Sequence, residues 1–118
     1  MEIRRLTRSD EDFYTVMGPI FGSRLIEKQT KDRFYDDPAK VWFVIPGKGA
    51  ASLLDCIIKN FWAVNDETAD TLVSALVQEQ KWLDGVLPRT YEDVFKRHGF
   101  ETSDHLVNFI EVYRHEKD

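Results

Sequence analysis

The order of apolar patterns along the chain predicts an α/β (α+β) domain: a mixed, mostly antiparallel sheet of six to seven strands flanked by about four helices. Three observations predict it. Short runs rich in β-branched and aromatic residues alternate with segments whose apolar residues recur every three to four positions. The joints between these segments are brief, with no repeat, low-complexity tract or long linker. The 118 residues are 42% hydrophobic and 31% charged, which suits one core, so residues 1–118 read as a single domain.

Glu2 to Leu6 is a short opening strand. Ser9 or Asp10 then caps a helix, in which Phe13, Val16, Met17, Ile20 and Phe21 share one face. Gly18-Pro19 ends or kinks it. A second helix spans Ser23 to about Tyr35, with a weak apolar face of Leu25, Ile26 and Phe34, and Asp36-Asp37-Pro38 closes it. Val41 to Ile45 and Ala50 to Leu54 form a hairpin about Pro46-Gly47-Lys48-Gly49. Gly47-Lys48-Gly49 lacks the spacing of a phosphate-binding loop, so a hairpin turn accounts for it. Cys56 to Val64 is the longest apolar run and a central strand.

Asp66 or Thr68 caps the strongest helix, striped by Ala69, Leu72, Val73, Leu76 and Val77. Trp82 to Leu87 is a fifth strand, stopped by Pro88. Thr90 caps a further helix with Tyr91, Val94 and Phe95 on its apolar face, and Gly99 stands as its C′ residue. The tail from Phe100 to Arg114 reads as one or two strands around Leu106 to Tyr113. Trp42, Trp62 and Trp82 lie on three of these strands and are read as core packing, an aromatic pocket wall being the alternative.

The same residues exclude several classes. No apolar run reaches the roughly 20 residues of a membrane-spanning helix. Met1-Glu2-Ile3-Arg4-Arg5 leads into charge and not into an apolar signal core, so secretion is not expected. A single cysteine, Cys56, has no internal partner and sits in an apolar run, which fits a buried thiol in a cytoplasmic protein. Sixteen basic against 21 acidic residues give a net charge of −5, which argues against broad binding to nucleic acid or anionic lipid. His98, His105 and His115 are too scattered in sequence for a metal site, and no metal is expected. Arg24, Lys28, Lys31 and Arg33, offset by Glu27 and Asp32, read as a solvated face.

Three pieces carry a family resemblance. Phe95-Lys96-Arg97-His98-Gly99-Phe100-Glu101, followed by Asn108-Phe109-Ile110, is one. The hairpin Trp42 to Ile45 with Gly49 to Leu54 is the second, and Lys59-Asn60-Phe61-Trp62-Ala63-Val64 is the third. In this order they resemble the GCN5-related N-acetyltransferase (GNAT) family over nearly the whole chain. The resemblance implies that the fourth and fifth strands splay and that acetyl-CoA inserts between them. It implies main-chain pairing with the cofactor along Phe61, Trp62, Ala63 and Val64, and phosphate contacts at the helix start near Thr68 and Ala69. The region of Arg24 to Arg33 would border the acceptor cleft.

The sequence departs from the family pattern at the cofactor loop. Asn65-Asp66-Glu67-Thr68-Ala69-Asp70 has no Gly and no Arg, and is about five residues short. Asp66, Glu67 and Asp70 stand where a diphosphate would dock, and two unit charges about 5 Å apart repel by roughly 3 kcal/mol at an effective dielectric near 20. The position that commonly holds the family's proton-donating Tyr is Phe95, leaving Tyr91, one turn earlier, as the substitute catalytic residue if it faces the cleft, or else a water. A general base could come from Asp55, Asp84 or Glu101.

Two expectations follow. The favoured one is a degenerate GNAT-like protein that works by binding a protein partner, with little or no acyl transfer and no cofactor, homodimerisation through the C-terminal strands being one outlet. The alternative is an active small acetyl-CoA-dependent N-acetyltransferase acting on an amine substrate.

Overall fold

The computed structural model describes residues 2–117. In chain order it holds β1 (Arg4–Leu6), α1 (Phe13–Phe21), α2 (Arg24–Thr30), β2 (Val41–Ile45), β3 (Gly49–Leu54), β4 (Ile57–Ala63), α3 (Asp66–Glu79), β5 (Trp82–Pro88), α4 (Glu92–Arg97), β6 (Glu101–Leu106) and β7 (Phe109–His115). The strands make one seven-stranded sheet in the order β1-β2-β3-β4-β5-β7-β6. Every neighbouring pair is antiparallel except β4 with β5. The sequence expectation of a mixed, mostly antiparallel sheet with four helices therefore holds.

Strand alternation splits the core between the two faces of the sheet. On one face Phe43, Ala51, Phe61, Leu83, Leu87, Ile110 and Val112 meet the α3 stripe (Ala69, Leu72, Val73, Leu76) and Val94 and Phe95 of α4. On the other, Trp42, Val44, Ala50 and Trp62 meet Phe13, Met17 and Ile20 of α1, Ile26 of α2, and Phe34. The first cluster spans β2 to β7, whereas the second reaches no further than β4.

Several boundaries differ from the sequence expectation, each for a local reason. Asp10 does not cap α1: its carboxylate accepts from the Thr7 amide at 2.8 Å, which closes a turn, and the helix starts at Phe13. Pro19 does not stop α1, which continues to Phe21. The lost Thr15 carbonyl bond is outweighed by packing of Ile20, 5% exposed, and by Phe21 edge-on to Trp42 at 5.3 Å. The second helix ends at Thr30, well before Tyr35. Lys31 turns left-handed (φ 56°), and the Thr30 hydroxyl donates back to the Ile26 carbonyl at 2.8 Å. The chain then runs extended to place Phe34 in the core.

Neither Asp66 nor Thr68 caps α3; Asn65 does, its side chain accepting from the Thr68 amide at 2.9 Å. Thr90 does not cap α4, because a 3-10 turn over Arg89–Tyr91 leads into it. Gly99 follows α4 at φ 85°, as its C′ role requires. Trp42 and Trp62 are core residues, but Trp82 is 47% exposed and stacks on His115 at 3.8 Å. Cys56 is half-buried in the turn before β4, not buried within a strand. Among the described residues no helix is long and apolar enough to cross a membrane.

Candidate functional site

The parallel pair β4–β5 holds the structure's main irregularity. The two strands pair only at Ile57 with Asp84 and Ile58 with Gly85. Glycine eases that pinch, since a Cβ on Gly85 would lie a tight 3.0 Å from both the Ile58 Cβ and its carbonyl oxygen. Immediately beyond, the β3–β4 register slips, with Ser52 opposite Asn60 but Leu53 opposite Ile58, so that Lys59 is extra. Such a bulge bends its strand. β4 then stays with β3 as far as Ala63 opposite Gly49, while β5 stays with β7 to Pro88 opposite Phe109. The result is a V that opens toward the C-terminal ends of both strands.

Tyr91 reaches the free β4 edge of this V, against an aromatic cluster on the α3–α4 face of the sheet. Phe61 from β4 and Phe95 from α4 are both fully buried, with ring centroids 5.0 Å apart. Tyr91 lies edge-on to Phe61 at 4.9 Å, and Phe100 closes the other side of Phe95 at 4.9 Å. The Tyr91 hydroxyl accepts from the Ala63 amide at 3.0 Å and donates to the Ala63 carbonyl at 3.2 Å. One phenol thus satisfies both backbone groups that a neighbouring strand would have paired. Burial pushes the Tyr91 phenol above its ordinary pKa, partly offset by the bond to Ala63. Its proton is already committed to a carbonyl.

The remaining residues that the GNAT resemblance singles out are also engaged within the chain. Phe61 and Trp62 point to opposite faces, and the Trp62 indole N–H donates to Gln29 Oε1 at 3.2 Å. The Val64 amide donates to the Lys48 carbonyl at 2.8 Å. The Thr68 amide is capped by Asn65, and the Ala69 amide donates to the Asn65 carbonyl at 3.1 Å. Only Val64 and Asn65 separate β4 from α3.

The acidic start of α3 has a partner the sequence did not disclose. Arg97 Nη2 donates to Asp66 Oδ2 at 2.9 Å and to Asp70 Oδ2 at 3.2 Å. His98 Nε2 stands 3.0 Å from Asp70 Oδ1. The His98 contact, then Arg97, holds the Asp70 carboxyl below its usual range. Nothing in the local sequence pairs the end of α4 with the start of α3; the α3–α4 packing does so.

The other candidates are dispersed. Asp55 is exposed in the β3–β4 turn, Asp84 on β5 meets His115 Nε2 at 2.8 Å, and Glu101 is exposed on β6. His105 lies near the end of β6, whereas His98 precedes that strand, just after α4. Arg24, Lys28, Lys31 and Arg33 are all exposed and, with Glu27 and Asp32, line an open groove of about 660 Å³.

Behind that groove lies a buried polar cluster that sequence reasoning missed. Lys40, 2% exposed, donates to Asn60 Oδ1 at 3.1 Å and sits 3.9 Å over the Tyr35 ring. Ser52 Oγ donates to the same Asn60 oxygen at 2.7 Å, and Asn60 Nδ2 donates to Asp32 Oδ2 at 3.0 Å. Burial raises the Asp32 pKa and lowers that of Lys40. The only signal was a polar Lys59-Asn60 pair inside an apolar run. The cluster fastens the segment after α2 to the sheet.

No protein-family model matches the chain, and no curated protein matches it.

Proposed function

We propose that this is a GNAT-like domain that has given up its cofactor cleft and works by binding a protein partner, with little or no acyl transfer. The strand order, the single parallel pair and its splay support the family reading. The observation that carries the functional reading is the Tyr91 hydroxyl on both backbone groups of Ala63. In a GNAT-like enzyme that stretch of β4 would pair with the pantetheine arm of acetyl-CoA. Here Tyr91 occupies the backbone, and Phe61 and Phe95 fill the space behind it.

The phosphate end gives the same answer. The turn before α3 is two residues long, its Thr68 amide is capped by Asn65, and Asp66 and Glu67 form the first turn. An incoming diphosphate would meet carboxylates and would have to compete with Asp66 and Asp70 for Arg97. The residues present do not fit acetyl-CoA, and we assign it no step. The groove near α2 adds a further argument: four cations against two carboxylates repel a protonated amine acceptor. The single unpaired thiol, Cys56, suits a cytoplasmic setting.

Calorimetric titration with acetyl-CoA tests the reading. No heat and no thermal shift at about 1 mM cofactor are expected. Saturable binding in the low micromolar range would restore the acetyltransferase reading.

A further inference from the structure

The arginines of this chain divide into two groups. Arg4, Arg5, Arg8, Arg89, Arg97 and Arg114 are each held by a carboxylate of the chain. Among the described residues Arg24 and Arg33 have no ion pair, and both line the open groove along α2. Lys28 and Lys31 line it too and are likewise unpaired. The chain has 21 acidic against 16 basic residues, so these cations do not lack partners for want of carboxylates in the sequence.

The fold gives no reason for charges at these positions. Ser23 caps α2, which makes Arg24 its first residue. The N-terminal end of a helix disfavours a cation. Arg24 and Lys28 are also i, i+4 neighbours, and like charges at that spacing destabilise a helix. Ile26 and Thr30 are buried against the protein, so Arg24, Lys28 and Lys31 form a row on the outward side. The two carboxylates of the groove do little to neutralise that row. Asp32 is turned inward: its Oδ2 accepts from Asn60 Nδ2 at 3.0 Å and its Oδ1 accepts from the Arg33 amide at 2.8 Å. Glu27 alone is left to face four cations.

We infer that this groove docks a short, extended acidic segment of a partner protein, rich in Asp or Glu and carrying an apolar residue. Leu25, 64% exposed, is the i, i+3 neighbour of Lys28 and offers that apolar residue a contact beside the charged row. From Arg24 to Lys31 the helix rises about 10 Å, which an extended chain covers with three to four residues at about 3.3 Å each. Charge elsewhere limits the length of the ligand. The groove carries four cations and two carboxylates, or +2 of a net −5, which leaves −7 on the remaining residues. A nucleic-acid strand would run out of the groove onto that negative remainder, whereas a short segment ends within it. The inference rests on the reading of this domain as a protein-binding one, and names the chemistry of the partner.

Calorimetric titration of the full chain with an unlabelled peptide of five glutamates and one leucine tests it. A dissociation constant of roughly 50 μM is expected at about 50 mM salt, weakening about tenfold by about 200 mM. A peptide of five lysines and one leucine should give no heat. Arg24→Glu should weaken binding about fivefold or more while its melting temperature stays level or rises, because the substitution suits the helix end. Lys28→Glu with Lys31→Glu should abolish binding. Lys117→Glu, the same reversal at an exposed site after β7, should change it by less than about twofold. Silence from the acidic peptide at about 1 mM overturns the inference, as does binding indifferent to the α2 reversals. A single-stranded oligonucleotide of about twelve nucleotides that binds as tightly as the peptide overturns it too. The acetyl-CoA titration judges the cleft separately, so a silent peptide beside a silent cofactor sinks this inference and not the loss of the cofactor site.

Discussion

The two ends of the β4–β5 pair solve the same problem by different means. At the pinch, Ile58 and Gly85 bring backbone to backbone, and glycine supplies the clearance. At the open end, Ala63 has no strand beside it on the β5 side, and the Tyr91 side chain completes its hydrogen bonds. Backbone pairing tolerates most side chains, whereas closure by side chains depends on particular ones: Tyr91 for the polar groups, Phe61 and Phe95 for the volume. The open end is therefore the more sensitive of the two to single substitutions.

Truncation at the open end should produce the largest effect. Phe61→Ala removes a fully buried ring from contact with Tyr91 and Phe95, and should cost about 3–5 kcal/mol in urea unfolding. A loss under about 1 kcal/mol would mean the V is not packed. At the pinch, Gly85→Ala places a Cβ 3.0 Å from Ile58 and should cost about 1–3 kcal/mol. If it proved neutral, the strands would be looser there than they are drawn.

Tyr91→Phe keeps the ring and removes only the hydroxyl, leaving both Ala63 groups unpaired. A loss of about 1–2 kcal/mol is expected by the same method. Asn65→Ala, which uncaps α3, should cost about 1 kcal/mol.

The smallest effect concerns pH. The Asp70 carboxyl lies below its ordinary value in the folded state, held by His98 and then Arg97. Its contribution is therefore present above the ordinary carboxylate pKa and is lost as pH falls through the lowered value. Asp70 is about half exposed, so Asp70→Asn should cost under about 1 kcal/mol at neutral pH. That difference should vanish below the ordinary carboxylate range; a difference that grew on acidification would contradict the assignment.

The contrast also explains what the sequence could disclose. Local periodicity carried the α3 stripe, from Ala69 to Leu76, and Gly99 announced the end of α4 through its own φ. What escaped depended on residues distant in sequence. The end of α2 was hidden because Phe34 continues an apolar pattern, while Asp32 is recruited by Asn60 from β4. Trp82 read as core because its strand is apolar, yet no helix reaches that part of its face. At the site, the acidity of Asp66 and Asp70 was legible but their neutralisation by Arg97 was not. Tyr91 was legible as a residue facing the strands, but its two hydrogen bonds to Ala63 arise where β4 has parted from β5, which no local pattern announces.

The Ala63 amide proton reports on the closure directly. By NMR hydrogen exchange it should be protected in the intact chain and lose that protection in Tyr91→Phe. Its chemical shift should not move as acetyl-CoA is added to about 1 mM. An Ala63 amide that exchanges freely in the intact chain, or that shifts saturably with micromolar acetyl-CoA, would contradict the account.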